Sequence, residues 1–162
     1  IVGGPGIGKS TLVRQLGDLY HHGSYGEGEK GVWDPQVLAD IEAGRFKPEM
    51  AVGNLDARRD LTDVRDTVRA YRLMAEKASA GAVYNVCSGR TVVIRDLLDM
   101  LLARARVPIT VRTDPARLRP SDQPVVLGDP ERIHHDLGWS ATIPLERTLD
   151  DVLAYWRAEA AR

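Results

Sequence analysis

The first residues of the chain, IVGGPGIGKSTLVRQL, could do chemistry on a nucleotide phosphate. Gly3, four further residues and then Gly8-Lys9-Ser10 satisfy the phosphate-loop pattern G-x-x-x-x-G-K-[ST]. Glycines, Gly6 among them, let the backbone wrap a phosphate. Lys9 would reach the β/γ-phosphates, and the Ser10 hydroxyl would ligate the Mg²⁺ of a bound ATP. A helix is expected from Ser10 to about Leu19, with its N-terminus favouring the anion. The same residues align on GGxGxxGSxLVxxL, the opening of a dinucleotide-binding βαβ unit. Gly4 and Gly6 then serve the turn and the close approach of a pyrophosphate, and Lys9 stands where the third glycine belongs. Both readings place a nucleotide phosphate at a helix N-terminus, and both lack more than Ile1-Val2 as a preceding strand.

A second anion-binding chemistry lies in AVGNLDARRDLTDVRDTVRAY, residues 51–71. Arg58 and Arg59 stand just ahead of a helix that Asp63 caps, with Asp66 as a further carboxylate in its first turn. Guanidinium forks grip phosphate in a bidentate manner. The plainer alternative is surface pairing with Asp56 and Asp60, where such pairs contribute ~0–1 kcal/mol. Another arginine cluster sits in the polar loop Asp114-Pro115-Ala116-Arg117-Leu118-Arg119-Pro120-Ser121-Asp122.

Other groups carry less. His21-His22 and His134-His135 are adjacent pairs whose side chains point apart with no third ligand at useful spacing, so no metal site is expected. Tyr25 and Lys30 miss the Tyr-x-x-x-Lys spacing of reductase chemistry by one, and no such pair occurs anywhere in the chain. Asp129, at the end of Val125–Gly128, reads as the cap of a helix that Pro130 begins rather than as an acidic partner of a phosphate loop.

The elements that must position these residues form an α/β pattern. Residues 1–35 read as an arm and linker, glycine-rich and without periodicity from Gly17 to Pro35. From Gln36 onward a short helix bearing Val37, Leu38 and Ile41 stops at Gly44. Val64, Thr67, Val68, Tyr71 and Ala75 form one apolar stripe on a helix running to about Ala80-Gly81. Ala82–Cys87 reads as a parallel strand covered on both faces. Ile94, Leu97, Leu98, Leu101 and Ala105 predict another helix, Pro108–Arg112 and Pro124–Leu127 short strands. Gly138 ends the helix after Asp129-Pro130. Pro144 opens the last one, with Leu145, Leu149, Val152, Leu153 and Trp156 on one side.

With 162 residues and 43% hydrophobic content the chain can bury one domain's core. A formal net charge of -1 argues against a general nucleic-acid or membrane binder. The single cysteine, Cys87, allows no internal disulfide and suggests a cytoplasmic setting. The chain begins at Ile1, and is read provisionally as a fragment.

Four segments together resemble a known family: VGNLDARRDLTDVRDTVRAY, VYNVCSGR, DPARLRPSDQPVVLGDPERIHHDLGW and IPLERTLDDVLAYWR. In order and spacing, over about Gln36 to Arg157, they are similar to the C-terminal half of an extended short-chain dehydrogenase of the GDP-mannose 4,6-dehydratase and GDP-4-keto-6-deoxymannose reductase group. The resemblance implies an incomplete Rossmann-type α/β fold, with residues 36–162 as the GDP-sugar-binding part. It implies that Arg59 and Arg119 hold the diphosphate, with Asn54, Arg90, Ser121 and Asp122 near the nucleotide. It also implies NADP as cofactor, although most of the half that would bind it has no counterpart here. Lacking Tyr-x-x-x-Lys, the chain is expected to recognise a GDP-sugar rather than turn it over, whether the parent activity is a dehydratase or a reductase. An ATP- or GTP-binding protein working through the phosphate loop is the alternative, and a homo-oligomer stays open.

Overall fold

The computed structural model describes residues 35–117 and 123–162. The expected phosphate-loop residues Gly3, Gly6, Gly8, Lys9 and Ser10, the linker, and Arg119, Ser121 and Asp122 lie outside them.

Pro35 opens helix α1 (Pro35–Glu42), where its fixed φ suits a first turn, and Gly44 ends the excursion at φ +74°. Strand β1 (Glu49–Val52) runs parallel to β4 (Thr110–Thr113), in register from Glu49↔Thr110 to Val52↔Thr113. A second sheet is centred on β2 (Arg58–Asp60), which pairs antiparallel with β3 (Thr91–Val93) and parallel with β5 (Val125–Val126). Helices α2 (Val64–Lys77), α3 (Ile94–Leu102), α4 (Glu131–Leu137) and α5 (Leu145–Ala160) complete the described elements, with one 3₁₀ turn at Pro115–Arg117. The expected α/β class with parallel strands is what the chain forms.

Two cores hold these layers. Met50 and Val52 of β1, Leu97, Leu98 and Leu101 of α3, and Leu149 of α5 are buried together in the first. Each such side chain contributes roughly 1.5–3 kcal/mol by leaving water. Helix α3 follows β3 without a loop. Its leading N–H groups, Ile94 N and Arg95 N, donate to the carbonyls of Ala57 and Leu55 at 3.0 Å each, so this helix start is satisfied by backbone rather than by a cap side chain. Across the same layer α1 meets α5, where Arg157 Nε and Nη2 grip Glu42 at 2.6 and 2.7 Å. The second core joins Ala70 of α2 to Ile133, Leu137 and Trp139. Gly138, at φ +66°, supplies the left-handed residue that ends α4 and turns Trp139 inward.

Two expectations fail here for physical reasons. The stripe Val64, Thr67, Val68, Tyr71, Ala75 is not the inward face of α2, because Val68 is 51% and Tyr71 46% exposed. The helix instead turns Asp66, Ala70, Leu73 and Met74 inward, and stops at Lys77, short of Ala80-Gly81. A buried carboxylate heads that face, which an apolar-periodicity reading passes over. Residues 82–87, expected as a doubly covered strand, form no strand. Both sides of β2 are already taken by β3 and β5. The segment runs beside α4 and tucks Tyr84 and Val86 under the second core while Val83 faces solvent. It is tied by Tyr84 Oη to Asp136 at 3.2 Å and by Asn85 Nδ2 to the carbonyl of Asp129 at 3.2 Å.

Candidate functional site

The parallel pair β1/β4 delivers two loops to one edge. Beyond the carboxyl end of β1 come Gly53 and Asn54; beyond that of β4 come Asp114 and the 3₁₀ turn. The Asp114 N–H donates to Val52 O at 2.8 Å, keeping the two loop starts side by side. Crevices beyond the carboxyl ends of parallel strands are where open α/β sheets bind ligands. Asn54 is exposed, and its Oδ1 accepts from Asp56 N at 2.9 Å, fixing the turn toward β2.

On β2 the pleat separates the two arginines, since successive side chains leave a strand on opposite faces. They do not form one double fork. Nor do they take the plainer role of pairing with Asp56 and Asp60. Arg58 Nε donates to Thr91 Oγ1 at 3.2 Å, and Asp56 pairs instead with Arg95 at 3.2 Å. Arg59 is half-buried, and its Nη1 donates to the carbonyls of Arg58, Gln123 and Pro124 at 2.8, 3.1 and 3.5 Å. Its Nε and Nη2 have no partner among the described residues. Gln123 and Pro124 directly follow Arg119, Ser121 and Asp122 in the chain. Arg59 is thereby fixed at the foot of the segment that carries the other three expected residues. Arg90 is exposed and leads directly into β3, whose Thr91 is in register with Asp60.

Three carboxylates spaced every third residue, Asp60, Asp63 and Asp66, hold this edge to the rest of the molecule. Asp60 accepts from Ser88 N, Ser88 Oγ, Gly89 N and Gly128 N at 2.9, 2.5, 2.9 and 3.3 Å. Asp63 caps α2 as expected, accepting from Arg65 N at 2.8 Å, and also accepts from Thr148 Oγ1 of α5 at 2.6 Å. Burial pushes its carboxyl up, but hydrogen bonds from Arg65 and Thr148 outweigh that and hold it below the usual range. Asp66, expected only as a helix-dipole carboxylate, is buried and bonded to the segment after Trp139. The regular Asp-x-x-Asp-x-x-Asp spacing was the available signal for this arrangement.

The remaining candidates are structural. Asp129 Oδ1 accepts from Glu131 N at 2.9 Å, but Pro130 takes the N-cap position and α4 begins at Glu131, one residue later than expected. His134 Nδ1 lies 3.2 Å from Trp139 O and His135 Nδ1 2.8 Å from Asp136 Oδ1, so the pair turns to separate partners. Burial, with Asp60 nearby, pushes the Cys87 thiol up and keeps it protonated. Among the described residues no group of three His, Cys, Asp or Glu side chains is placed to hold a metal ion, and no helix is long and apolar enough to cross a membrane.

The described residues do not fit the catalytic side of NADP chemistry. Tyr71 is exposed, Tyr155 packs edge-on against Trp156, and Tyr84 donates to Asp136. Burial and that hydrogen bond raise the Tyr84 phenol, the wrong direction for a general base. None of the three has a lysine four residues on.

Residues 10–152 match the family described as GDP-mannose 4,6 dehydratase. GDP-6-deoxy-D-mannose reductase of Pseudomonas aeruginosa is 36% identical over 121 residues, 75% of this chain and 40% of that protein. A GDP-mannose 4,6-dehydratase of Yersinia enterocolitica is 24% identical over 169 residues, covering 85% of this chain and 45% of its own length. The structure of RMD from Pseudomonas aeruginosa complexed with NADPH matches with TM-score 0.72 at 32% identity, over 78% of this chain and 41% of that one. The chain spans less than half the length of each of these relatives.

Proposed function

The chain belongs to the GDP-mannose 4,6 dehydratase family, an extended short-chain dehydrogenase group, and from that premise we propose that it recognises a GDP-sugar. Residues 36–162 form the binding part. Arg59 and Arg119 hold the diphosphate, while Asn54, Arg90, Ser121 and Asp122 lie near the nucleotide. The observation that carries this reading is the fixing of Arg59 to the carbonyls of Gln123 and Pro124, next to the other expected residues in sequence. A guanidinium held on one side by carbonyls keeps its other N–H groups directed and ready for phosphate oxygens, with little side-chain entropy left to lose on binding.

The chain's own residues bind and orient; no redox step is derived for them, because no Tyr-x-x-x-Lys pair is present. NADP, where bound, would supply the hydride chemistry. Isothermal titration tests the proposal. GDP-mannose and GDP should bind at micromolar levels, and ATP·Mg²⁺ at least tenfold more weakly. Tight ATP·Mg²⁺ binding with no GDP-mannose binding would overturn it and favour the phosphate loop of Gly3–Ser10.

A further inference from the structure

We propose that Asp60 is the positioning residue of the site: one carboxylate that locks the Arg90 turn and the end of β5 onto the strand bearing Arg59. This rests on the reading of Arg59 and Arg90 as site residues, and goes beyond it by naming what sets their mutual placement.

Asp60 sits at the end of β2, immediately after Arg59. Both its oxygens are used. Oδ1 takes the N–H and the hydroxyl of Ser88, and Oδ2 takes the N–H groups of Gly89 and Gly128. Ser88 Oγ also lies 3.2 Å from Arg90 N and 3.1 Å from Arg90 O, so the hydroxyl that binds Asp60 braces the residue presenting Arg90. The turn itself admits little freedom. Gly89 is at φ +74°, and a Cβ there would meet Pro130 Cγ at 3.0 Å. Gly128 approaches so closely that a Cβ would lie 2.5 Å from Cys87 Sγ. Both glycines let backbone N–H groups come within reach of one acidic side chain, and four donors converging on a carboxylate make a strong, directional joint. Three strands of the second sheet therefore meet at Asp60: β2 through its own backbone, β3 through Ser88–Arg90, and β5 through Gly128. The parallel partner of Arg59 on β5 is Val126, two residues before Gly128, so the same joint fixes β5 alongside Arg59.

Asp60→Asn keeps the shape but turns an NH₂ group toward two of the four donors. In the full chain, amide exchange at Ser88, Gly89 and Gly128 should accelerate at least tenfold while the melting transition stays cooperative. GDP-mannose affinity should fall at least tenfold. Arg59→Ala should then cost markedly less in the Asp60→Asn background than in the wild type, because a merely destabilising change would leave the Arg59 effect intact. Ser88→Ala, which removes only the hydroxyl donor, should give a smaller loss in the same direction, and decides the matter should Asp60→Asn not fold. Unchanged amide exchange, or losses that add fully, would overturn the proposal. If the wild type bound no GDP-sugar, the proposed function would fall, and amide exchange alone would still decide the role of Asp60.

Discussion

Asp66→Ala should lower the free energy of unfolding by about 3–5 kcal/mol, the usual cost of removing one partner of a buried charged network. The side chain is 1% exposed on the inward face of α2. It accepts from Thr142 N at 2.8 Å, Ile143 N at 2.9 Å, Thr142 Oγ1 at 3.1 Å and Arg69 Nη2 at 2.5 Å. Its backbone carbonyl accepts the indole N–H of the buried Trp139 at 2.9 Å. Alanine would leave two main-chain N–H groups without an acceptor and remove the carboxylate partner of Arg69, whose guanidinium lies 5.9 Å from the centroid of the Trp139 ring. These donors are part-buried, and stranding one costs up to roughly 1–3 kcal/mol.

The same residue gives the prediction a pH signature. Burial raises the Asp66 carboxyl, but the bonds from Arg69, Ile143 and Thr142 outweigh it and hold the pKa below the ordinary value. A folded-state pKa below the unfolded one, about 3.9, gives stability that is fully present above that pH and is lost as pH falls through the folded value. Asp63 and Glu42 are shifted in the same direction, Glu42 chiefly by its hydrogen bonds from Arg157. Urea unfolding should therefore show wild-type stability flat from about pH 5 to 7 and falling below about pH 4. The gap between wild type and Asp66→Ala should narrow over that acid limb. A gap that stays constant to pH 3 would show that the carboxylate charge contributes nothing.

Arg59→Ala should cost about 1.5–3 kcal/mol of GDP-sugar affinity, roughly ten- to a hundredfold, as expected for charge-assisted hydrogen bonds to a diphosphate. Arg119→Ala should fall in the same range. Arg59→Lys should restore only part of the loss. An ammonium could still sit among the carbonyls of Arg58, Gln123 and Pro124, but cannot at the same time offer a planar fork to phosphate. Titration calorimetry on the three variants reads this directly. Thermal melts should move little, because Arg59 is only half-buried and Pro124 O keeps its bond from Arg58 N at 2.8 Å.

What could be read from the sequence was what is local. The Asp63 cap, the Gly138 stop and the Ile94–Leu101 face all depend on residues within a turn or two, and all are present. The inward face of α2 was missed because its first member is a carboxylate whose partners lie 76 and 77 residues on. Strands β2 and β3 are three residues each, too short to show a period, so the opposed directions of Arg58 and Arg59 were not visible. The segment from Ala82 to Cys87 has the composition of a strand, and only the occupied edges of β2 prevent it from joining the sheet. The diphosphate role proposed for Arg59 comes from family resemblance alone. Its carbonyl anchors, and the joint at Asp60, required the fold.

The proposal places a sugar nucleotide among Asn54, Arg59, Arg90 and residues 119–122 rather than on the N-terminal loop. Titrating isotope-labelled chain with GDP-mannose and following backbone amide shifts tests this most directly. Saturable shifts should appear at Asn54, Arg59, Arg90 and residues 119–122, with residues 3–10 unmoved. Shifts confined to Gly3–Ser10, or none at saturating ligand, would contradict it.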